Sequence, residues 1–281
     1  MKRKSILFIM SSALAILSLV SCGNNTSSTA GQSDSTAIVT VKEDTVSIQA
    51  DSVVLKSIVA YNTDTAVKKP IVLIVPEWWG LEAYVKGRAK QLAEMGYFAL
   101  GIDMYGNGKI ADNPQLAGEL AGPFYKNPQL WYSRILASLA KAKTYPGVDT
   151  TKVAAIGYCF GGSAVLNSAK LGLPVNGVVS FHGGLGGGVV PEKGRTKADI
   201  LVCHGMADSF VPAADVATFR KQLDSVGASY TFKEYANATH AFTNPNATEK
   251  GKKFNMPISY NSAADTASFN DMKAFFGKIF K

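Results

Sequence analysis

The sequence predicts an α/β fold: a mainly parallel sheet with helices on both faces. Three observations predict it. The composition is globular, since 47% of the 281 residues are hydrophobic and 18% are charged, and this excludes a wholly disordered chain. Ile71-Val72-Leu73-Ile74-Val75 is a continuous apolar run, the mark of a strand buried on both faces. Beyond it, strand-like and helix-like segments alternate to the C-terminus, the pattern of a covered parallel sheet. Neither a repeat nor an internal linker interrupts them, so residues 38–281 are expected to form one domain.

The elements follow in order. Residues 38–41, 46–48 and 53–61 are β-rich and suggest an antiparallel opening. After the 71–75 strand, residues 82–95 carry apolar side chains at 85, 89, 92 and 93 and stop at Gly96, which is a helix. Residues 97–104 form the next strand, and residues 113–126 are less regular and carry no assigned element. Asn127-Pro128 then opens a helix, with Asn as its cap and Pro in its first position. Strands are expected at 153–158, 175–181, 200–203 and 230–235, and helices at 161–170, 212–226 and 266–280. The last helix has Phe269, Met272, Phe275, Phe276 and Ile279 on one face. The glycine-rich stretch 183–188 lacks the Lys-Ser/Thr that opens a phosphate-binding helix and reads as a plain loop.

Ahead of this body, Lys2, Arg3 and Lys4 precede an apolar run, Ile6 to Val20, too short for a spanning helix of ~20 residues. It ends in Leu19-Val20-Ser21-Cys22, which resembles the lipobox of bacterial lipoproteins. That resemblance implies a signal peptide over residues 1–21 and lipid on Cys22; the alternative is a plain secretory peptide cut near Ser21. Residues 22–37 are rich in Ser, Thr, Asn and Gly and read as a flexible tether. The expected location is therefore outside the cytoplasm, with contact to the membrane through the N-terminal lipid alone. Losing residues 1–21 lowers the net charge from +8 to +5. That excess is mild and not interleaved with aromatics, so no nucleic-acid partner is expected.

Chemistry is sought just after the strands, because ligands bind at the carboxyl ends of a parallel sheet. The strand at 153–158 runs into Gly157-Tyr158-Cys159-Phe160-Gly161-Gly162 and then a helix. Small residues two before and two after Cys159 permit a sharp strand–turn–helix elbow. Such an elbow lifts a nucleophile above the sheet at a helix N-terminus, where the dipole favours a thiolate. Without that role Cys159 is a buried thiol in a tight turn. Cys203 lies inside an apolar strand and reads as an inert core thiol. Pairing of Cys159 with Cys203 in an oxidising compartment would destroy the site.

In α/β-hydrolases the nucleophile is followed along the chain by an acid and then a histidine. The three histidines stand at 182, 204 and 240, too scattered for a metal site, and no cofactor is expected. Only His240 lies late enough to be the base. Among the intervening acids Asp208 alone follows a strand at its carboxyl end, in His204-Gly205-Met206-Ala207-Asp208, although an N-cap role for it is also open. Asp208 would orient His240 and stabilise its charged form. Glu77 follows the 71–75 strand beside Trp78 and Trp79, surroundings that raise a carboxyl pKa.

At this point the chain resembles the dienelactone hydrolase family of α/β-hydrolases. The resemblance is carried by Glu77-Trp78-Trp79-Gly80-Leu81, Leu92-Ala93-Glu94-Met95-Gly96-Tyr97, Asp103-Met104-Tyr105-Gly106, the Gly157–Gly162 turn, Phe181-His182-Gly183, His204 to Asp208, and His240-Ala241-Phe242. It implies a triad of Cys159, Asp208 and His240, with Glu77 holding or helping to ionise the cysteine. It also implies oxyanion donors at the backbone N–H groups of Trp78 and Phe160. The Phe160 donor follows independently, because the residue after the nucleophile fills that role.

The family's namesake enzymes grip a lactone carboxylate with arginines after the Asp-x-Tyr segment and after the catalytic His. Here the corresponding stretches, Tyr105 to Lys109 and His240 to Pro245, hold no Arg. The expected partner is a small ester or lactone, with neutral ones turned over at least as well as carboxylated ones, and the protein is expected to be a monomer. Two other readings stay open: a catalytically silent binding lipoprotein on the same scaffold, and an esterase acting on acylated glycans.

In a diderm host the protein is expected to partition to membranes and to incorporate labelled fatty acid. Cys22→Ala should release it or leave it unprocessed; identical fractionation of the variant, without label in either form, would contradict the lipid anchor.

Overall fold

The computed structural model describes residues 40–64 and 66–281. The expected signal peptide, the tether and Cys22 lie outside the described residues. Eight strands form one sheet in the order β1-β2-β4-β3-β5-β6-β7-β8. The opening is antiparallel, as expected, but consists of two long strands, β1 (Val41–Ala50) and β2 (Val53–Asn62), rather than three short ones. Asp51 turns the chain between them at a positive φ of 52°, which Asp tolerates. Its carboxylate reaches Arg134 Nε at 3.4 Å and ties the hairpin to a helix behind the sheet. β2 pairs antiparallel with β4 (Phe98–Gly101), and from β4 onward every pairing is parallel.

β3 (Lys69–Val75) shows why its apolar run is unbroken. Ile71, Leu73 and Val75 face one core, built with Trp131, Ile135 and Leu139 of α3 (Gln129–Ala142) and Ala164 and Val165 of α4 (Phe160–Lys170). Val72 and Ile74 face the other, built with Val85, Ala89 and Leu92 of α1 (Ala83–Glu94) and Met272 and Phe276 of α7 (Ser262–Ile279). Both layers exclude water from the middle strands. β5 (Val148–Tyr158), β6 (Gly177–Phe181) and β7 (Asp199–Gly205) carry runs of buried residues for the same reason. α5 (Ala213–Val226) and β8 (Tyr230–Tyr235) complete the alternation.

The structure corrects the sequence reading in two places. Residues 113–126 are not irregular: α2 (Pro114–Lys126) is a helix capped by Asn113, whose side chain accepts the Leu116 N–H at 3.0 Å. Gly118, Gly122 and Pro123 weaken its intrinsic propensity. Burial of Ala117, Ala121 and Phe124 outweighs that cost. A short helix, α6 (Ala247–Phe254), also stands where none was expected. At the next helix Pro128, not Asn127, stands at the cap position of α3, and the Asn127 side chain, one residue earlier, accepts the Gln129 N–H at 3.2 Å. Among the described residues no helix is long and apolar enough to cross a membrane.

Replacing a capping Asn by Ala costs about 1 kcal/mol. Asn113→Ala should therefore lower the urea midpoint without changing its slope. An unchanged midpoint would mean that packing alone holds α2.

Candidate active site

The site forms where four parallel strands end. The turn after β5 is the tightest element. A Cβ at Gly157 would lie 1.9 Å from the carbonyl oxygen of Gly161, and one at Gly161 would lie 2.2 Å from that of Val75. Only glycine lets β3, β5 and the first turn of α4 approach this closely. Between these glycines Cys159 adopts φ 53° and ψ −114°, a left-handed conformation that costs a non-glycine residue about 1–3 kcal/mol. The result is a sulfur raised above the sheet at the positive end of the α4 dipole.

The structure brings together the three residues that the sequence reading singled out. His240 Nε2 lies 3.0 Å from Cys159 Sγ, and His240 Nδ1 lies 2.8 Å from Asp208 Oδ2. Asp208 follows β7, and its other oxygen accepts the Phe210 N–H at 2.9 Å, which fixes the carboxylate in its loop. Asp208 thus caps a turn rather than α5. His240 follows β8, and its backbone bridges to Ile258. Burial disfavours charge on His240, yet the cysteine sulfur and the Asp208 carboxylate together hold its pKa well above the ordinary histidine value. These two neighbours favour an imidazolium at His240.

Glu77 is buried at the end of β3, and burial raises its pKa against the opposing pull of Asn244 and Lys250. Its Oε2 accepts a 2.6 Å hydrogen bond from Asn244 Nδ2. The Asn246 N–H donates to Asn244 Oδ1 at 2.9 Å, and this fixes which way the amide points. Glu77 is therefore held by Asn244, while the cysteine is held by His240. Neither the Trp78 N–H nor the Phe160 N–H donates to another backbone group among the described residues, so both are free for an incoming oxygen. Tyr105 Oη donates to the Trp78 carbonyl at 2.8 Å and steadies that loop.

Above the triad lies a cavity of 430 Å³ walled by Trp78, Trp79, Tyr125, Phe210, Met256 and Ile258. Glu77 is the one carboxylate among its lining residues, and neither Lys nor Arg lines it. Tyr125 and Phe210 are half exposed and form an apolar rim. Cys203 lies in the core, unpaired, its thiol pushed up to about 12 by burial. Cys159 is likewise unpaired.

Sequence reasoning passed over two residues here. Chain order eliminated His182 as a base, yet its buried ring lies beside that of His240, with centroids 5.4 Å apart. Asn244 entered only as a position without Arg. Neither carries a periodicity or spacing signal; only tertiary contact reveals them.

A cysteine in a strand–turn–helix elbow after β5, with an acid after β7 and a histidine after β8 of a mainly parallel sheet, is the arrangement of an α/β-hydrolase. More narrowly, the chain belongs to the dienelactone hydrolase family, whose model matches residues 56–280. It is 31% identical over 189 residues to a protein of Aquifex aeolicus named "Putative carboxymethylenebutenolidase", a match covering 62% of this chain and 77% of that one. A protein of the same name from Methylorubrum extorquens is 27% identical over 183 residues, covering 62% of this chain and 63% of its own length, so under two thirds of that relative is spanned. Among solved structures, a dienelactone hydrolase-like promiscuous phosphotriesterase from metagenomic libraries superposes with a TM-score of 0.78 at 28% identity, covering 85% of this chain and 98% of that one. Membership in this family puts the chain among hydrolases.

The raised His240 pKa has a testable sign. The stabilisation it brings is fully present below the ordinary histidine pKa and is lost as pH rises through the folded-state value. In an NMR titration the His240 ring should turn over well above the ordinary histidine range. Cys159→Ala removes the sulfur and should move the midpoint down. A midpoint that ignores the substitution would contradict the ion pair.

Proposed function

We propose that the chain hydrolyses a small neutral ester or lactone through Cys159, His240 and Asp208. The observation that carries this reading is the continuous line from Cys159 Sγ to His240 Nε2 at 3.0 Å and from His240 Nδ1 to Asp208 Oδ2 at 2.8 Å, at the floor of an apolar cavity. The Cys159 thiolate attacks the substrate carbonyl carbon, and the carbonyl electron pair moves to oxygen. The Trp78 and Phe160 N–H groups receive that oxyanion. As the intermediate collapses, His240 gives its proton to the departing alkoxide and a thioester remains on Cys159. A water then loses a proton to His240 and attacks the thioester. The new intermediate collapses, expelling the Cys159 thiolate and releasing the acid, and the proton taken from water stays on His240, which restores the thiolate–imidazolium pair. Asp208 keeps the imidazole in the required tautomer and steadies its charge.

The cavity supports an uncharged substrate. A carboxylated substrate would bring its charge beside Glu77 into a lining without Lys or Arg. Desolvating an unpaired charge is costly, and a buried charge pair to meet it would be worth several kcal/mol. We further propose that the enzyme is exported and tethered by lipid on Cys22, acting as a monomer at a membrane surface; the lipobox supports the tether.

The test is a panel of chromogenic esters and lactones, neutral and carboxylated in matched pairs, with the wild type and three variants. Cys159→Ala should abolish turnover, and adding His240→Ala should cost little more, because residues that act as a unit lose activity together. Asp208→Asn should fold normally and lose about 10⁴-fold in kcat, following the serine-triad precedent. Neutral substrates should be turned over at least as fast as carboxylated ones. Full activity in Cys159→Ala would sink the nucleophile assignment, and a strong preference for carboxylated lactone would sink the substrate class. Silence toward the whole panel would favour a binding lipoprotein.

A further inference from the structure

His182 is buried outright, yet no step of the proposed reaction uses it. Its surroundings are unusually determined. The Cys159 backbone N–H donates to His182 Nδ1 at 3.1 Å, alongside a second bond to the Phe181 carbonyl at 3.0 Å. A backbone N–H can only donate, so Nδ1 carries a lone pair and the ring proton sits on Nε2. His182 Nε2 then donates to Thr243 Oγ1 at 2.7 Å. The Thr243 hydroxyl has its own proton left for Tyr84 Oη, 2.6 Å away. Arg88 donates to the Thr243 carbonyl at 2.9 Å and pairs with Asp265 of α7. Thr243 lies three residues beyond His240 on the same loop. The His182 ring packs edge-on against both His240 and Phe242, at 5.4 and 5.2 Å between centroids. Its backbone holds a φ of 41°, a strained conformation kept in place by its N–H bond to the Cys203 carbonyl at 2.9 Å.

We propose that His182 is a positioning residue: its neutral imidazole ties the backbone of Cys159 to the loop that carries His240, through Thr243, and sets the separation of the thiol from its base. This rests on the reading of Cys159 and His240 as nucleophile and base. The two reactive groups come from distant parts of the chain, and their own contact is a single 3.0 Å approach. A second, parallel link one layer below turns that approach into a fixed distance. The link stays the same as pH falls, because burial and the neighbouring His240 hold the His182 pKa well below the ordinary histidine value. A protonated ring would set an N–H against the Cys159 N–H and break the tie.

The test compares His182→Phe, His182→Asn and Thr243→Val in the full-length protein. Phe fills the space without either bond; Asn can still accept from Cys159 but falls short of Thr243; Val removes only the hydroxyl. Each is measured for kcat and KM on the best neutral ester, for the rate of Cys159 alkylation and for the NMR midpoint of His240. Misplacing reacting groups by about 1 Å costs ~100-fold. His182→Phe should lose about that in kcat with KM nearly unchanged, slow alkylation and lower the His240 midpoint. His182→Asn should recover part of the loss, and Thr243→Val, the mildest change, should show the same pattern at smaller size. If His182→Phe does not fold, Thr243→Val decides alone. A folded variant with wild-type kcat, alkylation rate and His240 midpoint overturns the proposal while leaving the nucleophile reading intact. Activity surviving in Cys159→Ala overturns both.

Discussion

The close approach of three backbone segments around Cys159 is the constraint on which the site depends. β3 and β5 lie side by side, and α4 begins so near them that Gly157 and Gly161 have no room for a Cβ. That contact forces Cys159 into a left-handed conformation, and the strain is balanced by two cores that bury the central strands on both faces. With the turn fixed, the sulfur has one place to go. Phe160 opens α4 directly after Cys159, and the end of β3 brings Glu77 and Trp78 to the same cavity as Cys159. The remaining groups need only arrive at the ends of β7 and β8, which the parallel register ensures.

Electrostatics at the site divide between two buried acids. Asp208 is spent on His240, and with the sulfur it sustains an imidazolium in a place where burial alone would neutralise it. Glu77 is held by a neutral amide, and burial raises its pKa. A cation in place of Asn244 would hold Glu77 as a carboxylate and would also attract anionic ligands. Asn244 does neither, and neither Lys nor Arg lines the cavity, although Lys250, over the Trp79 ring, opposes the rise in the Glu77 pKa.

Much of this was legible in the sequence because it depends on local pattern. The run from Ile71 to Val75 announces a doubly buried strand, and Gly157-Tyr158-Cys159-Phe160-Gly161 announces the elbow. Chain order singles out His240, and the carboxyl-end rule singles out Asp208. What escaped depends on tertiary packing. α2 contains two glycines and a proline and forms because its Ala117, Ala121 and Phe124 are buried. α6 is a short polar helix, held where its Phe254 stacks on Trp79 at 5.7 Å between centroids. Thr243 and Asn244 carry no motif of their own, and Phe181-His182-Gly183 carries resemblance but not the role of His182, since these meanings lie in side-chain bonds spanning 61 residues in one case and 167 in another.

The central claim is that Cys159 carries the acyl group through the reaction. Rapid quenching with a slow neutral ester, followed by intact-mass and peptide mapping, tests it most directly. The account predicts one acyl adduct per chain, on the peptide containing Cys159, appearing and decaying at rates compatible with turnover. It also predicts that in His240→Ala an acyl adduct delivered by an activated ester accumulates, because deacylation needs the base. An adduct on Cys203, or turnover with no adduct on Cys159 at any time point, would contradict it.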